Sequence, residues 1–342
     1  MLLSGAKFQI RMGKQHVQCK NLALCTDSDL SHPKLTHSKD IQATPINCIK
    51  VHGFIMIIRI YQVFAYILFC VWQRVAPWKY FQLNAPYFNE QRGIFSKLDT
   101  DQLIPEAWRL PQSLDIGGYE PSQYPVFVKP EWGQNSFGIQ RADNAQALST
   151  IRSERKNTTG NYLIQQAAAG TREFEIFVIP SALESSSQTG NQPAVISITE
   201  TLNNSEDPYP INGIYNSATS YEDLTPQLTP KQVEQLWLHL SQIGDFRLSR
   251  VGLRANSVEA MINGEFHIIE INLLYPMPLM LLSHNRTWRE KNRFSLQAMW
   301  HLAAISKKIP ASQPRKSIFF TKLKSAHRLK LANKMRTNNE RV

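Results

Sequence analysis

Two stretches of the chain hold residues that could do chemistry. In "FVKPEWGQNSFGI", residues 127–139, an apolar run ends on Lys129 and Pro130. It gives way to a loop bracketed by Gly133 and Gly138, with Asn135 and Ser136 between them. A lysine at a strand end beside a glycine-bounded loop can hold phosphate, because the ammonium supplies charge and successive backbone N–H groups form an anion-binding concavity. An ordinary surface turn, with its lysine reaching off an apolar sheet, reads the same way locally. In "EFHIIEIN", residues 265–272, strict strand alternation places Phe266, Ile268, Glu270 and Asn272 on one face, with Ile269 and Ile271 on the other. Arg254 and Asn256 share a face of the preceding apolar run. A carboxylate, two amide oxygens and a guanidinium then converge. Oxygen ligands of this kind suit Mg2+, which takes one or two carboxylates and leaves its other positions to phosphates and water. Solvated polar residues at a strand end are the plainer alternative.

The elements that must position these residues are read from periodicity and caps. Strands are expected over 124–129, 138–141, 162–166, 173–179 and 194–201, with a Ser/Gln/Asn-rich loop over 184–193. Asn144 fits as N-cap of a helix over 144–153, and Thr229, followed by Pro230, as N-cap of one over 229–243. A hairpin is expected from 250–258 and 265–271, turned at the Asn263, Gly264 pair. Strands and helices in this order indicate an α+β domain.

The formal charge of +11 is unevenly spread. Residues 306–342 carry 11 Lys/Arg against one acid, and residues 1–80 carry 10 against three, which leaves 81–305 at a net −6. An acidic middle argues against nucleic-acid binding by the globular part. Cys19, Cys25, Cys48 and Cys70 form no C-x-x-C and no zinc spacing, which suits free thiols in a reducing compartment. Residues 54–72 are a strongly apolar window, close to the ~20 residues that cross a bilayer. Arg59 and Gln62 interrupt it, and two readings stay open: a membrane-inserted or interfacial helix, or an amphipathic helix packed on a soluble protein. Met56, at the head of this window, offers a second start position. The chain thus divides into a polar leader (1–53), an apolar helix (54–75), a globular unit (95–305) and a basic tail (306–342). The tail suits solvent or an anionic membrane surface.

The order of the motifs adds a resemblance. A lysine-ended strand with its glycine loop, a strand ending in Gln165 and Gln166, then "GTREFEI", then "EIN" resembles the ATP-grasp superfamily, and within it the D-alanine–D-alanine ligase-like branch, over roughly residues 95–305. The resemblance implies two α+β subdomains gripping ATP between antiparallel sheets. It implies a cytoplasmic, ATP-dependent carboxylate–amine ligase that works through an acyl phosphate on an amino acid or small peptide. Carried over residue by residue, it gives Lys129 and Lys97 to the nucleotide phosphates and Gly133, Ser136 and Gly138 to a loop closing over them. Gln165, Gln166 and Ala167 go to the adenine side, Glu173 to the ribose with Glu175 as its alternative, and Arg254 to the acyl phosphate. Asn256, Glu270 and Asn272 go to Mg2+ or Mn2+, and Tyr215 and Asn216 to a substrate-side loop, while His267 is structural.

Three departures accompany it. The family usually has Asp where Asn256 stands, the segment "LLYPMP" after Asn272 lacks the family's glycine, and the family's leading βαβ domain has no counterpart in residues 1–94. They motivate a second reading: an ATP-binding regulatory module, attached to a membrane or not, without ligase turnover.

Overall fold

The computed structural model describes residues 45–133, 136–155, 161–182 and 193–324. Nine strands fall into two antiparallel sheets among these residues. The smaller sheet has β1 (Gln112–Leu114), β2 (Val126–Pro130), β3 (Gln140–Ala142) and β4 (Tyr162–Gln166) in the order β1-β4-β2-β3. The larger has β5 (Arg172–Pro180), β6 (Pro193–Asn203), β7 (Thr219–Asp223), β8 (Ser249–Ala255) and β9 (Phe266–Asn272) in the order β7-β6-β5-β8-β9. The α+β class read from the sequence is the class observed.

Helix starts follow local chemistry. The Asn144 side chain accepts from the Ala147 N–H at 2.9 Å and opens α3 (Ala145–Glu154), which follows α1 (Pro45–Trp72) and α2 (Lys97–Asp101). Thr229 and Gln232 form a reciprocal capping box for α4 (Pro230–Leu240), which ends before the expected 243. The expected hairpin over 250–258 and 265–271 is corrected. Strand β8 stops at Ala255, Ser257 caps a short helix α5 (Val258–Ile262), and Asn263 and Gly264 follow that helix rather than turning a hairpin. Ser257 is a good N-cap, and its side chain accepts from the Ala260 N–H at 3.0 Å. Two short strands escape periodicity, β1 and β7, and so does the long helix α6 (Trp288–Lys307).

Alternation on β5 organises the molecule. Its even positions, Phe174, Ile176 and Val178, join Ile198, Val251, Leu253 and Ile268 in a core that includes Leu236 and Leu240 of α4 and Met261 of α5. Its odd positions face the other way and change character along the strand. Phe177 and Ile179 pack with Tyr66 and Cys70 of α1 and Met299 and Leu302 of α6. Glu173 and Glu175, at the other end, have no such cover. The smaller sheet repeats the pattern: Val126, Val128 and Ile164 are buried with Leu148 and Ile151 of α3, which turns Phe127, Lys129 and Gln165 to the opposite face.

Helix α1 buries Ile55, Ala65, Tyr66 and Cys70, a one-face stripe, and leaves Met56, Ile57, Phe64 and Leu68 exposed. Its stretch Gly53–Trp72 is long and apolar enough to cross a membrane, and only 22% of it is buried.

Gly170 enters β5 with φ +107, and a Cβ there would lie 2.9 Å from the backbone N and C of Ala255 on β8. Backbone cannot yield as a side chain can. Gly170→Ala is therefore expected to destabilise the protein by about 1–3 kcal/mol, whereas Gly133→Ala, whose nearest neighbours would be 3.6 Å away, stays within about 0.5 kcal/mol. Urea denaturation of the two variants measures the contrast.

Candidate functional site

Lys129 leaves β2 on the face away from α3 and is 4% exposed. Its Nζ donates to Gln165 Oε1 at 2.7 Å and to the Ile269 carbonyl of β9 at 3.2 Å, so one ammonium joins the two sheets. Lys97 opens α2, whose N-cap is Ser96, and its Nζ donates to the Pro130 carbonyl at 3.2 Å. Neither lysine makes an ion pair with a described carboxylate. Burial, followed by the like charge of Lys97, pushes the Lys129 ammonium down to about 7, and burial lowers Lys97 as well. Glu131 is spoken for elsewhere: it is 2% exposed, paired with Arg92, and accepts from Ser96 Oγ and the Asn161 amide.

The larger sheet supplies the carboxylates, and its register corrects the face expected for β9. Gly252 pairs with Glu270 but Leu253 pairs with Ile268, so Ile269 is an extra residue, a β-bulge. Phe266 and Ile268 therefore turn into the core, while Glu270 and Asn272 turn to the opposite face. Strict alternation had put all four together. The bulge likewise sets His267 opposite Arg254. Across the strands, Glu175, Gly252 and Glu270 form one row. A Cβ on Gly252 would lie 3.1 Å from Glu175 Oε1 and 3.3 Å from Glu270 Cγ, so the two glutamates fill the space that a side chain there would need. One step along, Arg250 pairs with Asn272; its Nε lies 3.0 Å from Glu175 Oε2 and its Nη2 3.8 Å from Glu270 Oε1. The Asn272 amide donates to Glu270 Oε1 at 2.7 Å. Burial drives the Glu175 carboxyl up, against Arg250 and with Glu270 and Glu173 adding to it. Burial acts on Glu270 too, but Lys97, Arg250, the Asn272 amide and Lys129 together hold it below its usual range.

The expected site residues divide. Lys129, Ser136, Gln165, Gln166, Glu173, Arg254 and Glu270 line one cleft of about 100 Å3; Asn272 adjoins it through Glu270, and the charge of Lys97 is felt by Lys129 and Glu270. Glu173 accepts from the Asn212 amide at 3.0 Å, and burial raises it to about 7. Ser136, in left-handed backbone at φ 58, donates its hydroxyl to the Asn212 carbonyl across the cleft. Gly133 and Gly138 flank that turn; Asn135 lies outside the described residues. Asn256 is a correction: β8 ends before it and its side chain is exposed, so it is not brought to Glu270. Arg254 is beside Glu173 in register but is held by the Pro208 carbonyl at 2.8 Å and the Tyr209 ring at 5.0 Å. The N–H groups of Gln166 and Ala167 already donate to the carbonyls of Pro111 and Pro125. Tyr215 and Asn216 stay outside the cleft, where the Asn216 amide holds the Ile211 carbonyl.

Arg250 and Asn212 are the residues that strand alternation did not single out, and Glu175 entered only as the alternative to Glu173. Arg250 and Glu175 share faces with Arg254 and Glu173, which is a signal, but choosing among them needs the register. No three His, Cys, Asp or Glu side chains gather around a metal position among the described residues. A centre of one or two glutamates with an amide is the pattern that leaves room for phosphate and water.

No protein-family model matches the chain, and no curated protein matches it. Among solved structures it is similar to the VanG D-Ala:D-Ser ligase from Enterococcus faecalis, at 17% identity and a TM-score of 0.43, over 62% of this chain and 61% of that one. It is also similar to the D-alanine–D-alanine ligase from Bacillus anthracis complexed with ATP, at 13% identity and a TM-score of 0.41, over 62% and 68% of the two chains. A third is the L-amino acid ligase from Bacillus licheniformis, at 18% identity and a TM-score of 0.34, over 52% and 40%. The match therefore spans under two thirds of the first of these proteins.

A Cβ at Gly252 needs the Glu175 and Glu270 side chains to give by only a few tenths of an ångström, so Gly252→Ala is expected to cost no more than about 1 kcal/mol. Chemical denaturation of the variant reads this loss.

Proposed function

We propose that this chain is an ATP-dependent ligase that joins a carboxylate to an amine, of the ATP-grasp kind and similar to D-alanine–D-alanine ligases. The observation that carries the reading is a buried Lys129 and a half-buried Lys97, hydrogen-bonded to neutral oxygens only and near Glu270, which Asn272 holds. Two ammonium groups without a described carboxylate partner fit a polyanion. Glu270 and Asn272, with Glu175 facing them, fit a divalent cation that shares its coordination with phosphates. Asn256 is not part of that set.

ATP would supply a phosphoryl group to a carboxylate, and an amine attacking the acyl phosphate would release phosphate. In this reading Lys129 and Lys97 neutralise phosphate oxygens in a dry cleft, where fixed charges act strongly. Glu173 faces the ribose hydroxyls. Arg250, opposite Asn272, is the guanidinium set beside the Glu270 and Asn272 pair, with Arg254 one row away beside Glu173. The cleft of about 100 Å3 is smaller than the ~300–1,000 Å3 of typical ligand sites, so the Ser136 contact with Asn212 parts when nucleotide binds. A cytoplasmic location follows from the need for ATP.

A second reading, nucleotide binding without turnover, is favoured by the position of Asn256 and by "LLYPMP" after Asn272. Phosphate release from Mg-ATP with pooled amino acids separates the two. Amine- and carboxylate-dependent release supports the ligase, and tight ATP binding with no release across a broad panel supports the module. Lys129→Met and Glu270→Gln are each expected to abolish release while the far-ultraviolet circular dichroism stays that of the wild type. Wild-type rates in both would overturn the site.

Lys129 also makes nucleotide binding depend on pH. Free Lys129 loses its proton near 7, and bound phosphate favours the charged form, so binding takes up a proton above that pH. ATP affinity is expected to fall by up to about tenfold per pH unit above pH 7, and this fall is expected to vanish in Lys129→Met. Calorimetry in buffers of different ionisation enthalpy measures the proton taken up.

A further inference from the structure

The odd-numbered face of β5 does not end at the carboxylates. Two residues beyond Glu175, about 7 Å along the strand, Phe177 borders a second cavity of about 550 Å3. Leu248, two residues before Arg250, borders it too, and Met299 and Leu302 of α6 close one side. Tyr275 and Met277, in the segment that leaves β9 after Asn272, form another wall. Tyr275 stacks on Tyr80 at 5.0 Å, and Arg250 Nη1 donates to the Met277 carbonyl at 3.1 Å, so the wall is tied directly to the polar cluster.

The lining is aromatic and aliphatic, apart from two side chains of α1. Arg59 and Gln62 stand three residues apart, hence on one helix face, and both border the cavity. Gln62 is 9% exposed, yet its amide has no hydrogen-bond partner among the described residues. The Arg59 guanidinium has neither a hydrogen-bond nor an ion-pair partner among them. The Gln62 amide and the half-buried Arg59 guanidinium thus both border an apolar space with no acceptor among the described residues, a setting that suits a group bringing its own acceptors.

We propose that this cavity binds an apolar carboxylate. The hydrocarbon or aromatic body lies among Phe177, Leu248, Met299 and Leu302, and the two carboxylate oxygens accept from the Arg59 guanidinium and the Gln62 amide. A carboxylate offers two acceptors to these two neighbouring donors, and an Arg–carboxylate pair is among the stronger charge-assisted contacts. A volume of about 550 Å3 lies within the range of small-molecule sites built from apolar walls and a few placed polar groups. The inference stands on the cavity and does not require the nucleotide reading.

Titration of the full-length protein with dodecanoate, dodecanol and dodecylamine by calorimetry, below the micelle concentration of each, tests it. One saturable site for dodecanoate is expected, at least tenfold tighter than for the alcohol or the amine. Arg59→Met removes that preference and leaves dodecanol binding as it was, and Arg59→Lys retains most of it. Gln62→Leu weakens dodecanoate several-fold. Leu302→Trp, which fills the cavity, removes binding of all three. Equal affinity for dodecanoate and dodecanol in the wild type overturns the proposal even if no variant folds. So does binding of several equivalents that Leu302→Trp leaves intact, which would place the probe on the exposed face of α1. Association with phosphatidylglycerol vesicles in the absence of monomer binding overturns it in favour of a membrane surface.

Discussion

A buried ammonium holds the two sheets of this protein together. Lys129 sits at the end of β2 in the smaller sheet, and its Nζ reaches a backbone carbonyl of β9 in the larger one. Desolvating an amine is costly and Lys97 adds a like charge; the carboxylates of Glu270 and Asp101 act the other way but do not outweigh this, so the group is pushed towards its uncharged form. Such an arrangement makes sense where something else completes it. The surrounding groups are set out around that point. Gln165 is fixed by Lys129 and by the same carbonyl, Lys97 reaches the residue next to Lys129 in the chain, and Glu270 follows the Ile269 carbonyl directly.

What gathers the carboxylates is the geometry of the larger sheet. A strand has two faces, and β5 turns the middle of one, Phe174, Ile176 and Val178, into the core. The other is divided between a polar end, at Glu173 and Glu175, and an apolar end, at Phe177 and Ile179, where α1 and α6 pack. The polar cleft and the apolar cavity are therefore successive stretches of one surface, with Arg250 between them bonded to both sides. The absence of a side chain at Gly252 lets Glu175 of β5 and Glu270 of β9 approach each other across β8, the strand between them. A bulky residue there would separate them.

Much of this was legible beforehand, and the failures share a cause. Lys129 with its glycine loop, Glu173, and the Glu270 and Asn272 pair could be picked out because strand ends, turns and period-two alternation are local properties. The caps at Asn144 and Thr229 were legible for the same reason. The reading of 250–258 as strand failed because Ser257 offers a helix cap inside an apolar run, and pattern alone did not arbitrate. Asn256 failed with it, since it lies past the last paired residue. Arg254 and Arg250 have equal standing in the sequence, and only pairing across three strands shows which faces Glu270.

Read alone, the amino-acid sequence yields the α+β class, lysines of a kind that can hold phosphate, a set of oxygen donors, and their order along the chain. Those follow from residue type, spacing and the polarity of short windows. The tertiary structure decided which of these residues meet. The bulge at Ile269 adds one residue to β9 and so reverses the face of everything after it, which brings Glu270 and Asn272 out of the core and onto the side of Glu175 and Arg250. Strict alternation carries no mark of such a bulge, because the extra residue is defined by the partner strand. It also took the packing of α1 on α6 to turn Arg59 and Gln62, two blemishes in an apolar window, into open donors beside a cavity.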